Sequence, residues 1–375
     1  MTRPGFRLAL LATVLASFVV LLGAYTRLTH AGLSCPDWPG CYGFMTVPSS
    51  GMQLAHAALH FPDTPVLAEK GWSEMTHRYF AGGLALVIVL LAALGWRERR
   101  QPGQPVKLPL LLLGVVLAQA MFGMWTVTLK LWPQVVAVHL LGGVATLSLL
   151  GLLTLRLSGR FAAPLQLPTK LRWIAATGFL FVALQIALGG WVSANYAAMA
   201  CTEVPTCQGL WWPDADFTNG FHLTQHIGPN YLGGNLDSDA RTAIHLTHRI
   251  GALLVTLWLL SLAWQLYGAG LRSMAAWVAG VLAAQIGLGV SNVLFHLPLT
   301  IAVAHSAGAM VLMLSMVVVN YRLWRGAFAL QPLENGVYAH RSLWRGIRFT
   351  PLSFASRPRS DKSAAPLKVS SLRSE

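Results

Sequence analysis

The sequence predicts an all-α integral membrane protein: eight transmembrane helices arranged as two pseudo-symmetric, parallel four-helix bundles. Hydrophobic residues make up 55% of the 375 residues and charged residues only 11%, far from the balance of a soluble globular protein. Each apolar stretch of roughly 20 residues is long enough to cross about 30 Å of hydrocarbon. These stretches lie near 6–26, 75–96, 108–129, 134–155, 171–193, 243–266, 274–295 and 299–321.

The chain contains an internal repeat of one four-helix unit, over 1–160 and 165–326. Because an even number of spans returns the chain to its starting side, the halves are expected to be parallel, related by an axis along the membrane normal. Glutamines and glycines recur with one spacing, which indicates interhelical hydrogen bonding and close helix approach. They are Gln119 and Gly123, Gln285 and Gly289 at an offset of 166 residues, and Gln185 and Gly189 on the fifth helix.

The net charge of +14 is explained by membrane topology. With the N-terminus inside, 21 of the 27 Lys and Arg residues fall on cytoplasmic segments. This positive-inside asymmetry predicts a multi-pass protein of the bacterial inner membrane with both termini in the cytoplasm. The bilayer is therefore the expected partner, and nucleic acid is not. The basic segment 327–375 is expected to be a disordered cytoplasmic tail near anionic head groups.

Each half places two histidines inside its membrane helices, His77 with His139 and His248 with His305. An ionisable side chain in the bilayer is costly and indicates function, and imidazole is a usual axial ligand of haem iron. The two ligands of a half come from its second and fourth helices, which must then face each other across the bundle core. We expect His77 and His248 about one turn, and His139 and His305 about two turns, inside the outer helix ends.

Other interpretations of the histidines fit less well. A closed zinc or copper site needs three or four converging ligands, whereas each half offers one histidine pair and no cysteine at that depth. A single intramembrane histidine is more simply a buried, hydrogen-bonded side chain, but a duplicated set of four favours haem iron ligation.

Glu74 lies three residues before His77, so both project from one helix face, and its counterpart in the second half is His245. A carboxylate near a haem edge can take a proton or stabilise a developing cation. The first half is therefore predicted to be reactive and the second to hold a cofactor. A favourable interaction of Glu74 with the helix dipole is the alternative.

Arg78 and Arg249 each follow a ligand histidine and are predicted to pair with haem propionates. Anchoring of the helix end at the interface is the alternative role. Two C-x5-C pairs lie in the long outer loops 27–74 and 194–242, where an oxidising compartment favours disulfides. Cross-loop pairing and redox-active thiols remain open. The cysteines are Cys35 and Cys41, and Cys201 and Cys207.

Over about residues 5–325 the chain resembles the heme A synthase family, which converts haem O to haem A. Segment 26–41 is similar to the family's first-loop signature in its cysteine-containing form, and segment 74–78 to its glutamate–histidine motif. The resemblance implies that the first-half histidines flank the substrate haem and the second-half histidines hold a permanent haem b. It also implies that Glu74 is the catalytic carboxylate.

The implied reaction oxidises one methyl group of haem O to a formyl group, for terminal oxidase biogenesis. Haem O synthase and an electron donor are candidate partners, and a homo-oligomer is compatible with the resemblance. The main alternative is a di-haem, b-type transmembrane electron-transfer protein. A haem transporter or assembly chaperone also fits two haem sites. Glu74, present in one half only, favours the enzyme.

Overall fold

The computed structural model describes residues 2–160, 165, 167–325, 331–332 and 338–339. All eight predicted transmembrane segments form helices long and apolar enough to cross a membrane, so the predicted all-α fold with eight membrane-spanning helices is confirmed. The helices are α1 (Phe6–Leu28), α2 (Gly51–His60), α3 (Ala68–Arg97), α4 (Lys107–Thr128), α5 (Pro133–Ser158), α6 (Thr169–Ala194), α7 (Phe217–Gly220), α8 (Ser238–Gly268), α9 (Arg272–Leu294) and α10 (Leu299–Trp324).

Two short helices, α2 and α7, lie within the long outer loops. Each begins at a side-chain cap: Ser50 accepts a hydrogen bond from the Gln53 amide in a capping box, and Asp216 accepts one from the Asn219 amide. Such caps satisfy amide groups that have no partner within the helix. The outer loops are thus partly structured rather than wholly irregular.

Helices α3 and α8 begin at Ala68 and Ser238, earlier than the apolar pattern predicts. Their first turns are polar and extend the helix beyond the apolar span; α8 is capped by Asp237, which accepts from the Ala240 amide at 2.8 Å. His77 therefore lies nine residues after the first residue of α3, at roughly two and a half turns rather than one. The expected depth of one turn is wrong for His77, and likewise for His248.

Each half is a ring of four helices. In the first, α1 and α4 each pack against both α3 and α5; in the second, α6 and α9 each pack against both α8 and α10. The two histidine-bearing helices of each half are therefore diagonal neighbours across the ring. This common packing pattern supports the predicted repeat.

Apolar side chains fill the end of each ring away from the outer loops. In the first half the fully buried set includes Ala12, Ile88, Leu112 and Leu150; in the second it includes Leu259, Val278 and Met316 among others. Burial of side chains of this size typically stabilises a protein by about 1.5–3 kcal/mol each in water, although within a bilayer close packing and van der Waals contact replace much of that term. The histidines lie at the opposite, outer end.

The two halves are joined at their outer ends by Arg27, on the last turn of α1. Its guanidinium donates to the Tyr196 hydroxyl at 2.5 Å and to the Ser193 carbonyl at 2.7 Å, and lies 4.0 Å from the centre of the Tyr196 ring. The sequence analysis did not predict this contact. Helices α5 and α6, α5 and α10, and α1 and α10 also pack across the junction.

The predicted disordered tail, 327–375, falls outside the described residues except for two short strands. Strands β1 (Gln331–Pro332) and β2 (Tyr338–Ala339) pair antiparallel, with Gln331 opposite Ala339.

The predicted orientation can be tested at the connection between α8 and α9, which contains Leu271. The positive-inside bias places this connection in the cytoplasm. Alkaline phosphatase, which is active only outside the cytoplasm, should be inactive when fused after Leu271 and active when fused after Trp211, between α6 and α8. Activity after Leu271 would contradict the predicted topology.

Candidate haem sites

Each of the four predicted ligand histidines packs its ring against a glycine on the neighbouring helix. A Cβ atom added at that glycine would lie 3.0–3.3 Å from the histidine Cε1, too close for an ordinary contact. The glycines therefore make room for imidazole rings, a role the expectation of close helix approach did not include. The pairs are His77 with Gly23, His139 with Gly123, His248 with Gly189, and His305 with Gly289.

Gly23 was not identified from the sequence, although a signal was present. It precedes Gly189 by 166 residues, the same offset that relates Gly123 to Gly289. Aligning all of α1 with α6, rather than only the positions of the recurring glutamines, would have identified Gly23.

The histidines of each predicted pair lie on diagonal helices of one four-helix ring, His77 on α3 with His139 on α5, and His248 on α8 with His305 on α10. The Nδ1 atoms of His77, His139 and His305 are buried without a hydrogen-bond partner in the described part of the chain. Because buried polar groups are normally hydrogen-bonded, unpartnered imidazoles on diagonal helices fit axial ligands of a haem iron in each ring.

Gln185 confirms the predicted interhelical hydrogen bonding. Its amide nitrogen donates to the backbone carbonyl of His248 at 2.9 Å and lies 3.1 Å from the Nδ1 atom of the same residue. The contact joins α6 to α8 at the level of the histidine ring.

Glu74 is buried, with 5% of its surface exposed, and its carboxylate is fully engaged. Oε2 accepts hydrogen bonds from the backbone amides of Ser34 at 2.9 Å and Cys35 at 3.0 Å. Oε1 accepts from Nη2 of Arg78 at 2.5 Å. Hydrogen bonds to an ionised carboxylate are stronger than neutral ones, so Glu74 anchors the first outer loop to α3.

His245 performs the same anchoring in the second half. Its Nδ1 atom accepts a hydrogen bond from the backbone amide of Cys201 at 3.2 Å, and Cys201 is the repeat counterpart of Cys35. The two residues therefore share a structural role and differ in charge. Glu74 also lies six residues after the first residue of α3, beyond the first turn to which the helix dipole acts, so the dipole alternative is not supported.

The structure places Arg78 and Arg249 against the outer loops rather than in open positions. Arg78 donates to the carbonyls of Asp37 at 2.9 Å and Pro39 at 3.2 Å, and to that of Gly40. Arg249 donates to the carbonyls of Cys201, Glu203 and Thr206 at 2.8–3.1 Å. Contact with haem propionates remains a prediction for both, while the loop contacts are present in the structure.

Both predicted cysteine pairs form disulfides within their own loops, Cys35–Cys41 and Cys201–Cys207. The cross-loop alternative is therefore wrong. Within the first loop the Asp37 carboxylate accepts from the Tyr42 amide at 2.6 Å and the Gly43 amide at 2.7 Å. Burial, with the Glu74 and Asp37 carboxylates nearby, raises the pKa of the Tyr42 phenol, so it stays a neutral donor to the Pro65 carbonyl.

Comparison with known proteins identifies the family. A profile of the COX15-CtaA family, described as a cytochrome oxidase assembly protein, matches residues 6–317. The chain is 46% identical over 320 residues to a heme A synthase of Shewanella oneidensis, covering 85% of this chain and 95% of that protein. It is 30% identical over 353 residues to a heme A synthase of Methylorubrum extorquens, covering 86% and 88%. A match spanning all eight transmembrane helices shows that the chain belongs to the COX15-CtaA family.

Proposed function

We propose that the chain is a heme A synthase, a membrane haem-dependent oxidoreductase that oxidises one methyl group of haem O to a formyl group. The observation that carries this proposal is a chemical difference between the two four-helix rings. Both hold a histidine pair, yet among the described residues only the first has a buried carboxylate, Glu74, one turn from a predicted ligand histidine. The identity to heme A synthases over most of the chain supports it.

The reaction divides into two oxidations and a dehydration. In each oxidation a C–H bond of the methyl carbon is replaced by a C–O bond to one oxygen atom of O2, while two electrons from the proposed donor and two protons reduce the other oxygen atom to water. The second oxidation leaves a carbon bearing two hydroxyl groups. Loss of water from that carbon leaves the formyl group. The substrate's reacting carbon therefore needs a group beside it that manages protons and positive charge.

Glu74 is the group we assign to this role. It would lie beside a haem ligated by His77, since both residues project from one face of α3. Its negative charge is held by Arg78 and two loop amides, which fixes its position and orients it before the reaction begins. A fixed charge aimed at the site of developing charge is a large contributor to catalysis.

The second ring is the proposed site of a resident haem b, with His248 and His305 as its axial ligands. A haem held there would supply electron transfer to or from the substrate site, while the protein provides ligation and orientation. The protein side of this site includes a hydrogen-bonded ligand histidine, since Gln185 contacts His248. Haem O synthase and an electron donor are the proposed partners.

The pigments bound to the purified protein test the activity directly. Membranes expressing the chain should yield protein carrying haem B together with haem O, its hydroxylated form and haem A. A preparation that carries haem B alone, and leaves added haem O unchanged in the presence of reductant and oxygen, would instead identify a di-haem electron carrier.

The two rings should respond differently to loss of a ligand. His248→Ala or His305→Ala should remove the resident haem b, whereas His77→Ala or His139→Ala should leave it bound and abolish conversion of haem O. Optical spectra of the purified variants measure bound haem b, and pigment analysis measures conversion of haem O. The control is His226→Ala, a substitution at an exposed loop position that should change neither. Loss of haem b from the first-half variants alone would reverse the assignment.

Glu74→Gln should lower the rate of haem O oxidation by about 10²–10⁴-fold, because it removes the charge while keeping the size of the side chain. The variant should still bind both haems and accumulate haem O or its hydroxylated form. Pigment analysis after a fixed growth period measures this. The matched control is Glu69→Gln, the same change at an exposed position on the first turn of α3.

A second substitution separates charge from loop anchoring. Glu74→His installs the residue that anchors the equivalent loop in the second half, where His245 accepts from Cys201. If anchoring were the whole role of Glu74, this variant would retain most of its activity. We expect it to be as impaired as Glu74→Gln; near-wild-type haem A from either variant would remove the proposed catalytic role.

A further inference from the structure

Three of the four ligand histidines share a local arrangement that involves a glutamine and a second glycine. The glycine lies three residues after the histidine, and the glutamine amide from the neighbouring helix occupies the space where a side chain at that glycine would begin. Only glycine leaves room for this amide. The sets are His139 with Gly142 and Gln119, His248 with Gly251 and Gln185, and His305 with Gly308 and Gln285.

In the second half these amides reach the imidazole rings. The Gln185 amide nitrogen lies 3.1 Å from Nδ1 of His248, and that of Gln285 lies 3.4 Å from Nε2 of His305. The Oε1 atoms of both glutamines are buried without a partner. A glutamine amide can hydrogen-bond to Nδ1 in two ways. Its nitrogen donates to an unprotonated Nδ1, and its oxygen accepts from Nδ1–H when Nε2 binds iron.

The fourth histidine, His77, has different neighbours at both positions. Val19 stands on α1 where the repeat places Gln185 on α6, and Phe80 stands where the other three helices carry glycine. Val19 is buried, and the Phe80 ring packs edge-to-face against Phe18 at a centroid distance of 4.9 Å. The Nδ1 atom of His77 is buried without a hydrogen-bond partner within the described residues, as are those of His139 and His305, whereas Nδ1 of His248 has the Gln185 amide.

We propose that Gln185 is a positioning residue for His248, and that His77, with Val19 and Phe80 in place of the amide and its glycine, is the ligand that releases iron. The inference rests on the proposed function, since it takes the histidines as axial haem ligands. Outer hydrogen bonds fix the orientation of a ligating histidine and raise its basicity, and their loss typically weakens metal binding by about 10–100-fold. A substrate site must let its haem leave after conversion, whereas a resident site must not.

Removing the amide from the second half is the first test. Gln185→Val gives His248 the neighbour that His77 has, and Gln265→Val, at the far end of α8, is the matched control. Carbon monoxide binds ferrous haem only where an axial ligand has left. The CO-reactive fraction of the resident haem should rise about tenfold in Gln185→Val and stay at the wild-type level in Gln265→Val.

Adding the amide to the first half is the second test. Val19→Gln combined with Phe80→Gly supplies His77 with the arrangement of the other three histidines. Haem O bound to the purified full chain should transfer to apomyoglobin, a haem scavenger, about tenfold more slowly than from the wild type. The single variant Phe80→Gly, which makes space without an amide, should not slow the transfer.

The outcomes of these tests distinguish failure of this inference from failure of the proposed function. If Gln185→Val matches Gln265→Val in CO binding, and the double variant releases haem O as fast as the wild type, the inference is wrong while ligation stands. If the wild-type protein shows no low-spin, two-histidine haem spectrum, the proposed haem sites fail and the inference fails with them.

Discussion

Imidazole rings inside hydrocarbon are the constraint around which this structure is arranged. Each imidazole must fit between helices that cross an apolar medium, where an unpartnered polar group is costly. A glycine on the neighbouring helix makes space for the imidazole of each of the four predicted ligand histidines. The apolar cores then occupy the opposite end of each bundle, so the outer end is left for the sites and their loops.

The outer loops are tied to the same helices that carry the ligands. In each half a residue three positions before the first histidine accepts from the backbone amide of the loop's first cysteine, and the arginine directly after that histidine donates to the loop's carbonyls. One stretch of helix thereby carries both the proposed iron ligand and the contacts to the disulfide loop. These contacts link each loop physically to the proposed haem site of its half.

The sequence predicts the features that follow from apolar stretches and residue spacing. It does not predict which of several available groups a polar side chain will contact in the folded protein. The eight helices and their repeat follow from long apolar stretches and fixed offsets, and the disulfides follow from close spacing of cysteines on an oxidising side. The first turns of α3 and α8 were missed because they are polar helix beyond the apolar span. The loop contacts of Arg78 and Arg249 were missed because a sequence shows a charge but not the loop carbonyls that fold against it. Their pairing with haem propionates stays a prediction.

Three differences between the halves lie around one histidine. His139 and His305 have matching neighbours, with a glycine facing the ring and a glutamine over a second glycine. Around His77, by contrast, the repeat replaces glutamine by Val19, glycine by Phe80, and the neutral acceptor His245 by Glu74. These three positions, on α1 and α3, give His77 a different local environment from that of the other three predicted ligands. A haem held there would therefore meet one ligand from α5 that has a glutamine and a glycine beside it, and one ligand from α3 that has neither and lies next to a carboxylate. The α3 side is the face on which both chemistry and release are expected.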